Sequence, residues 1–172
     1  MDEYQERIAS IMRELDVPAR SMAGIFREAT ELVSVAPDIY GREQRLTPSA
    51  AAAWNAMRTA AERDREILQL VSAFRSVDYQ KQIIHRKLAA RQSWEQILRV
   101  SALPGFSEHH TGRTIDVTTP GCKPLTEEFE QTTAFHWLTR HAGEFRFVMT
   151  YSRGNKLGIA YEPWHWTFHE RL

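Results

Sequence analysis

The spacing of apolar residues changes character once along this chain, near Pro104, and that change limits the folds open to it. Before it, apolar residues recur at helical spacing. Ile8, Ile11, Met12 and Leu15 share one face, and Ile25, Phe26, Ala29, Leu32 and Val33 share another. Pro18 separates the two as successive helices, because proline cannot continue a helix that it interrupts. Thr47-Pro48 supplies an N-cap and a proline at the first helical position. It opens an alanine-rich helix whose stripe is Ala53, Ala56, Met57 and Ala60. Ile67–Phe74 reads as a short buried strand; Ser76 caps a helix over about 77–91, and Ser93 caps another through Val100. After Pro104, glycine and proline punctuate short β-prone runs at Thr114–Thr118, Arg146–Tyr151, Gly158–Tyr161 and Trp164–Phe168. One helix, Thr132–His141, interrupts them. Helices followed by strands, without βαβ alternation, predict an α+β fold: a single domain with a small antiparallel sheet and flanking helices. Residues 1–45 are expected to be a helical extension packed on a domain spanning 46–172.

Composition removes several classes of function. Lys plus Arg total 22 and Asp plus Glu total 22, so no basic field draws the chain to nucleic acid. No apolar run approaches the roughly 18 residues of a membrane span. The acidic, polar start lacks the basic and apolar regions of a secretory signal, which predicts a cytoplasmic protein, or a periplasmic one if a leader has been removed. The charged N-terminal helices are consistent with a monomer or a weak dimer. Cys122 is the single cysteine, so an intrachain disulfide and a thiolate-rich metal site are both excluded. It reads as a free thiol in a turn rather than a nucleophile. Any metal must then be held by histidines and carboxylates.

The segment from Ser107 to Asp116 holds two candidate ligands, His109 and Asp116, seven positions apart with Gly112 between them. Glycine permits a sharp bend. A chain that turns there and enters a strand at Thr114 brings Asp116 back beside His109 while Ile115 and Val117 face the core. Further on, Tyr161-Glu162-Pro163-Trp164-His165-Trp166 offers a carboxylate and an imidazole three positions apart. Two imidazoles and one carboxylate suit Zn²⁺, and three protein ligands leave a fourth position for water, whose pKa falls to about 7. Glu162 is then the general base that activates this water and hands the proton to the leaving amine. In an unbroken strand, residues three apart point to opposite faces. Glu162 and His165 therefore converge only if Pro163 marks a bend, a bulge or an edge position. Trp164, Trp166 and Phe168 are expected on the opposite, buried face as sheet core. His110 is expected to point away from the metal, and His85, His136, His141 and His169 to be surface or helix residues.

These segments resemble the zinc D-alanyl-D-alanine carboxypeptidase family that includes the VanY and VanX enzymes, with signatures Ser-x-His-x-x-Gly-x-Ala-x-Asp and Glu-x-x-His. Ser107, His109, Gly112 and Asp116 fill the first, with Thr114 where the family has alanine; Glu162 and His165 fill the second. Ser72-Ala73-Phe74-Arg75-Ser76, with Gln80 beyond it, is similar to the family's Ser-Gly-Tyr-Arg-Ser strand end. The resemblance runs from Leu46 to Phe168. It implies a zinc carboxypeptidase in which Arg75 binds the scissile carbonyl oxygen or the substrate carboxylate, with Ser107 and Gln80 as further substrate contacts. The implied substrate is a peptidoglycan stem peptide that loses its C-terminal D-alanine. A cytoplasmic enzyme would meet recycled tetrapeptides or wall precursors, which slightly favours L,D- over D,D-carboxypeptidase activity. A D-Ala-D-Ala dipeptidase and a wall endopeptidase stay open, because the zinc apparatus does not set where along a peptide it cuts. A non-catalytic zinc or peptide-binding module is the alternative of another class, and the presence of Glu162 argues against it.

Overall fold

The computed structural model describes residues 2–18, 24–156 and 159–171. The chain is α+β, with helices concentrated in its first half. Helix α1 covers Glu3–Glu14 and starts at a capping box in which Asp2 accepts from the Gln5 amide and Gln5 reaches back to the Asp2 amide. A short antiparallel hairpin pairs β1, Val33–Val35, with β2, Gln44–Leu46. Then come α2 (Pro48–Arg63), β3 (Gln69–Ser72), α3 (Val77–Ala89) and α4 (Trp94–Val100). The last two start at Ser76 and Ser93, whose side chains accept from Tyr79 and Gln96 amides. The second half holds β4 (Thr114–Thr118), α5 (Thr133–His141), β5 (Phe147–Met149) and β6 (His165–Phe168).

Strands β3, β4, β6 and β5 form an antiparallel sheet in that spatial order. On its inner face Leu70, Ile115, Val117, Phe147, Trp166 and Phe168 pack against Trp54 and Met57 of α2 and Phe135 and Leu138 of α5. A second cluster buries Ile8 and Ile11 of α1 and Leu15 at its C-cap against Val77 and Ile84 of α3 and Ile97 of α4. The helical stripe expected for α1 is thus the face that it buries.

Three expectations need correction. Residues 24–32 carry no helix; this segment runs extended into β1, with the Phe26 amide donating to the Gly105 carbonyl and the Ala29 amide to the His110 carbonyl. Its apolar spacing is therefore met by contacts along an irregular path rather than by helical turns. The buried face of α2 is Ala50, Ala51, Trp54, Met57 and Ala61, whereas Ala56 is exposed. Burying one indole outweighs burying several methyl groups, so Trp54 sets the rotation of the helix. Of the expected strand Gly158–Tyr161, Gly158 lies outside the described residues and 159–161 are not a strand.

Candidate metal centre

Strand register brings the first two candidate ligands together. Asp116 in β4 is paired directly with His165 in β6, and Ile115 with Trp166. Directly opposed side chains share a face about 5 Å apart, so Asp116 and His165 project together on the side away from the core. Ile115 and Val117, fully buried, take the other side. Between Leu70 and Ser72 the β3–β4 register slips, so that Ser72 lies opposite Asp116 and the end of β3 is re-aimed toward the site.

His109 arrives from a 3-10 turn, Glu108–Thr111, that ends on Gly112 at φ 64°. A Cβ at Gly112 would lie 2.8 Å from Leu32 Cδ2 and 3.1 Å from Ala29 Cβ, so both the conformation and the close approach call for glycine. The break before β6 is a tight turn, in which the His165 amide donates to the Glu162 carbonyl (3.2 Å) with Pro163 as the second residue. It is a bend and not an edge, since β6 lies between β4 and β5.

His109, Asp116 and His165 are all buried, and one ligand atom from each lies within 4.8 Å of the others. Burial and the nearby Arg75 guanidinium push the His109 imidazole down to about 4, so it is neutral at pH 7. Its Nδ1 lies 2.6 Å from the Ala73 carbonyl and must donate to it, which leaves the Nε2 lone pair 3.2 Å from Asp116 Oδ2. Burial opposes ionisation of Asp116, but the Arg75 guanidinium and the hydrogen bond from His165 keep its carboxyl well below the usual carboxylate range. A lone pair and an anionic oxygen thus face each other across a gap, an arrangement that a cation relieves. The donor set of two imidazoles and a carboxylate fits zinc.

His165 is held at both nitrogens: Nδ1 is 3.1 Å from Asp116 Oδ1, and Nε2 is 2.9 Å from Glu108 Oε2. Burial works against its charge, yet these hydrogen bonds raise it to about 9. Glu162 Oε2 lies 3.6 Å from His165 Nδ1. Burial pushes the Glu162 carboxyl up to about 7, even with His165 beside it.

The structure brings the remaining expected residues to the same cleft, a space of about 1000 Å³ between α3, α4 and the segment bearing Tyr151 and Tyr161. Arg75 donates from Nε to Ser72 Oγ (2.8 Å) and from Nη2 to Asp116 Oδ2, and Nη1 has no protein partner among the described residues. Gln80 is buried; its amide nitrogen donates to the Ala102 carbonyl (2.7 Å) while Oε1 has no hydrogen-bond partner among the described residues. Ser107 is buried at the start of the 3-10 turn and makes no capping bond there.

Several contributors lie outside the expected set. Glu108 was hidden between two better candidates, and no local signal marks it. His110 does turn from the centre, but it is fully buried, donating from Nδ1 to the Arg75 carbonyl (2.6 Å) and accepting the Gly105 amide at Nε2 (3.0 Å). Gln44 joins the Ala73 amide to the buried carboxylate of Asp38, each bond 2.8 Å, and so steadies the peptide whose carbonyl orients His109. The Tyr151 ring packs on His165 at 4.4 Å between centroids. Trp166 and Phe168 are sheet core, whereas Trp164 is half-buried and reaches the cleft. Thr114 is buried with its hydroxyl 3.0 Å from that of Thr167.

The sequence model of the VanY family, described as D-alanyl-D-alanine carboxypeptidase, matches residues 43–171. YodJ of Bacillus subtilis (strain 168) is 31% identical over 128 residues, which cover 72% of this chain and 46% of that protein. The chain thus spans about half the length of that curated relative. Among solved structures, the LdcB LD-carboxypeptidase superimposes with a TM-score of 0.73 at 28% identity, covering 82% of this chain and 69% of that one. A vancomycin-resistance D,D-pentapeptidase VanY variant in complex with Zn(II) shares the fold, with a TM-score of 0.66 at 21% identity over 85% of this chain and 86% of that one.

Proposed function

The chain belongs to the VanY family of D-alanyl-D-alanine carboxypeptidases, and on that footing we propose that it is a zinc-dependent carboxypeptidase that removes the C-terminal D-alanine from peptidoglycan stem peptides. The observation that carries this reading is the buried convergence of His109, Asp116 and His165 with Glu162 beside them. His109 Nε2, Asp116 and His165 would hold the metal. When bound, zinc supplies a Lewis acid that polarises the scissile carbonyl and lowers the pKa of water.

The chain's own groups do the rest. Glu162, raised to about 7, is poised near neutrality to take the proton of the attacking water. It returns that proton to the amine nitrogen as the C–N bond breaks. Arg75 presents Nη1, which has no protein partner among the described residues, to the substrate's carbonyl oxygen or terminal carboxylate. Gln80 Oε1, buried at the cleft wall and without a partner among the described residues, is an acceptor for a substrate N–H, and the Ser107 hydroxyl, which makes no capping bond, is a further contact. Exposed Tyr40, Tyr79, Val100 and Leu125 line the same cleft, giving it an apolar rim over a polar floor, as peptide-binding clefts have.

Cleavage of tetrapeptides by L,D-specificity is the preferred form of the reading, supported by the likeness to the LD-carboxypeptidase LdcB. The test is incubation with defined tetra- and pentapeptide stems, with and without chelator, read by mass spectrometry. Loss of one alanine from the tetrapeptide alone is expected; loss from the pentapeptide alone would replace L,D- by D,D-specificity. Failure to cut either with zinc bound would favour a binding module. Glu162→Gln should keep zinc and lower turnover by about 10²- to 10⁴-fold. Unchanged turnover would remove Glu162 from the mechanism.

A further inference from the structure

We propose that Glu108 is the positioning residue for His165: it holds the imidazole as its Nε2–H tautomer and thereby directs Nδ1, not Nε2, to the metal. The inference rests on the zinc reading above and adds to it which nitrogen binds and what holds it there. Glu108 sits next to His109 in sequence, yet its carboxylate crosses to the other imidazole. Oε2 lies 2.9 Å from His165 Nε2, and the Glu108 side chain is only 13% exposed. On the far edge of the same ring, Nδ1 faces Asp116 Oδ1 at 3.1 Å and Glu162 Oε2 at 3.6 Å. Turning the ring over would place carbon atoms against all three carboxylates and forfeit these contacts, so one orientation is strongly preferred.

Proton accounting shows why Glu108 stays put. Thr167 Oγ1 donates to Glu108 Oε2 at 2.8 Å, which uses its one proton. Its lone pairs are then left to accept, from Thr150 at 3.1 Å and from Thr114 at 3.0 Å, so the Thr114 hydroxyl is a donor. A carboxylate this buried is costly unless satisfied. Here the ring N–H and a chain of three hydroxyls satisfy one of its oxygens, and the ring is thereby fixed from behind. A carboxylate on the remote N–H of a ligating histidine also raises the basicity of the nitrogen facing the metal. His109 has the converse arrangement, with Nδ1 bound to the Ala73 carbonyl and Nε2 free. The two imidazoles would therefore bind through different nitrogens.

The test uses the purified chain and zinc alone. Zinc affinity is measured by competition with a chromophoric chelator for wild type, Glu108→Ala and Glu108→Gln, alongside the melting temperature of each metal-free protein. Loss of an outer partner of this kind weakens metal binding by about 10- to 100-fold, and that loss is expected for Glu108→Ala. Glu108→Gln should recover part of it, because both hydrogen bonds reach a single oxygen that the amide retains. In zinc-loaded wild type, nitrogen-15 shifts of the rings should show His165 protonated at Nε2 and ligated at Nδ1, with His109 the reverse. Zinc affinity of Glu108→Ala within about threefold of wild type would overturn the inference, whatever happens to melting temperature. Ligation of His165 through Nε2 would do so even if the alanine variant does not fold. Both leave the zinc reading intact, whereas a wild-type chain that takes up no zinc would end both.

Discussion

Replacing Gly112 by alanine tests whether the 3-10 turn is held by a backbone requirement and a steric one together. Gly112 adopts φ 64°, a conformation that costs an L-residue roughly 1–2 kcal/mol. The added Cβ would meet Leu32 Cδ2 at 2.8 Å, Ala29 Cβ at 3.1 Å and Thr47 Cγ2 at 3.2 Å. The leucine tip can yield, but the other two are close to the backbone and move less, so overpacking adds about 1–3 kcal/mol. The sum is about 2–5 kcal/mol, equivalent for a chain of this size to roughly 4–20 °C in melting temperature. The strain has a direct route to the site, because the Gly112 amide donates to the His109 carbonyl (3.3 Å) and its carbonyl accepts the Thr47 amide (2.8 Å). Urea denaturation of the metal-free proteins measures the stability, and a second pair in the Leu32→Ala background separates the parts. There, the cost of Gly112→Ala should fall by the share that the 2.8 Å Leu32 contact contributes, leaving the backbone term of about 1–2 kcal/mol and the Ala29 and Thr47 contacts. A cost below about 0.5 kcal/mol in wild type, or no change on shortening Leu32, would refute the reasoning.

Two further outcomes follow from buried polar groups. His110→Phe keeps a flat aromatic ring, somewhat larger than imidazole, but strands the Arg75 carbonyl and the Gly105 amide, which should cost about 2–5 kcal/mol by denaturant melt; a loss under 1 kcal/mol would show that other groups satisfy them. For Asp38, burial raises the carboxyl, but the Arg42 and Tyr40 amides and the Arg42 guanidinium outweigh it and hold it below its ordinary 3.8. A lowered folded value means that the stabilisation is complete above 3.8 and lost as pH falls through the lower value. Asp38→Asn should therefore be less stable than wild type at pH 7, with the difference narrowing below pH 4; a gap that stays constant between pH 7 and 3 would contradict this.

How much was legible depended on how local each cause is. Thr114–Thr118, α3 and α4 could be read because strand alternation and a capping serine act over a few residues. Gly112 and Pro163 were legible as bends for the same reason. The helix expected from Ile25 to Val33 failed because its spacing describes which residues are apolar, not what surface they meet; backbone bonds to Gly105 and His110, far along the chain, decide that path. The rotation of α2 departs from the expected stripe because the Trp54 indole outweighs the three alanines Ala53, Ala56 and Ala60, while Met57 lies on the buried face in both.

By itself the sequence determined the kinds of chemistry open to the chain: one cysteine and a set of histidines and carboxylates leave an oxygen–nitrogen metal site, and alternation puts Asp116 opposite the apolar pair Ile115 and Val117. Only the tertiary structure decided which groups meet. The β4–β6 register sets Asp116 against His165, and β3 and the hairpin before it bring Ala73 and Gln44 behind His109. Glu108 likewise reaches a histidine 57 positions away. Register and long-range hydrogen bonds join atoms whose separation along the chain carries no periodic signature, so no spacing rule could have found Glu108.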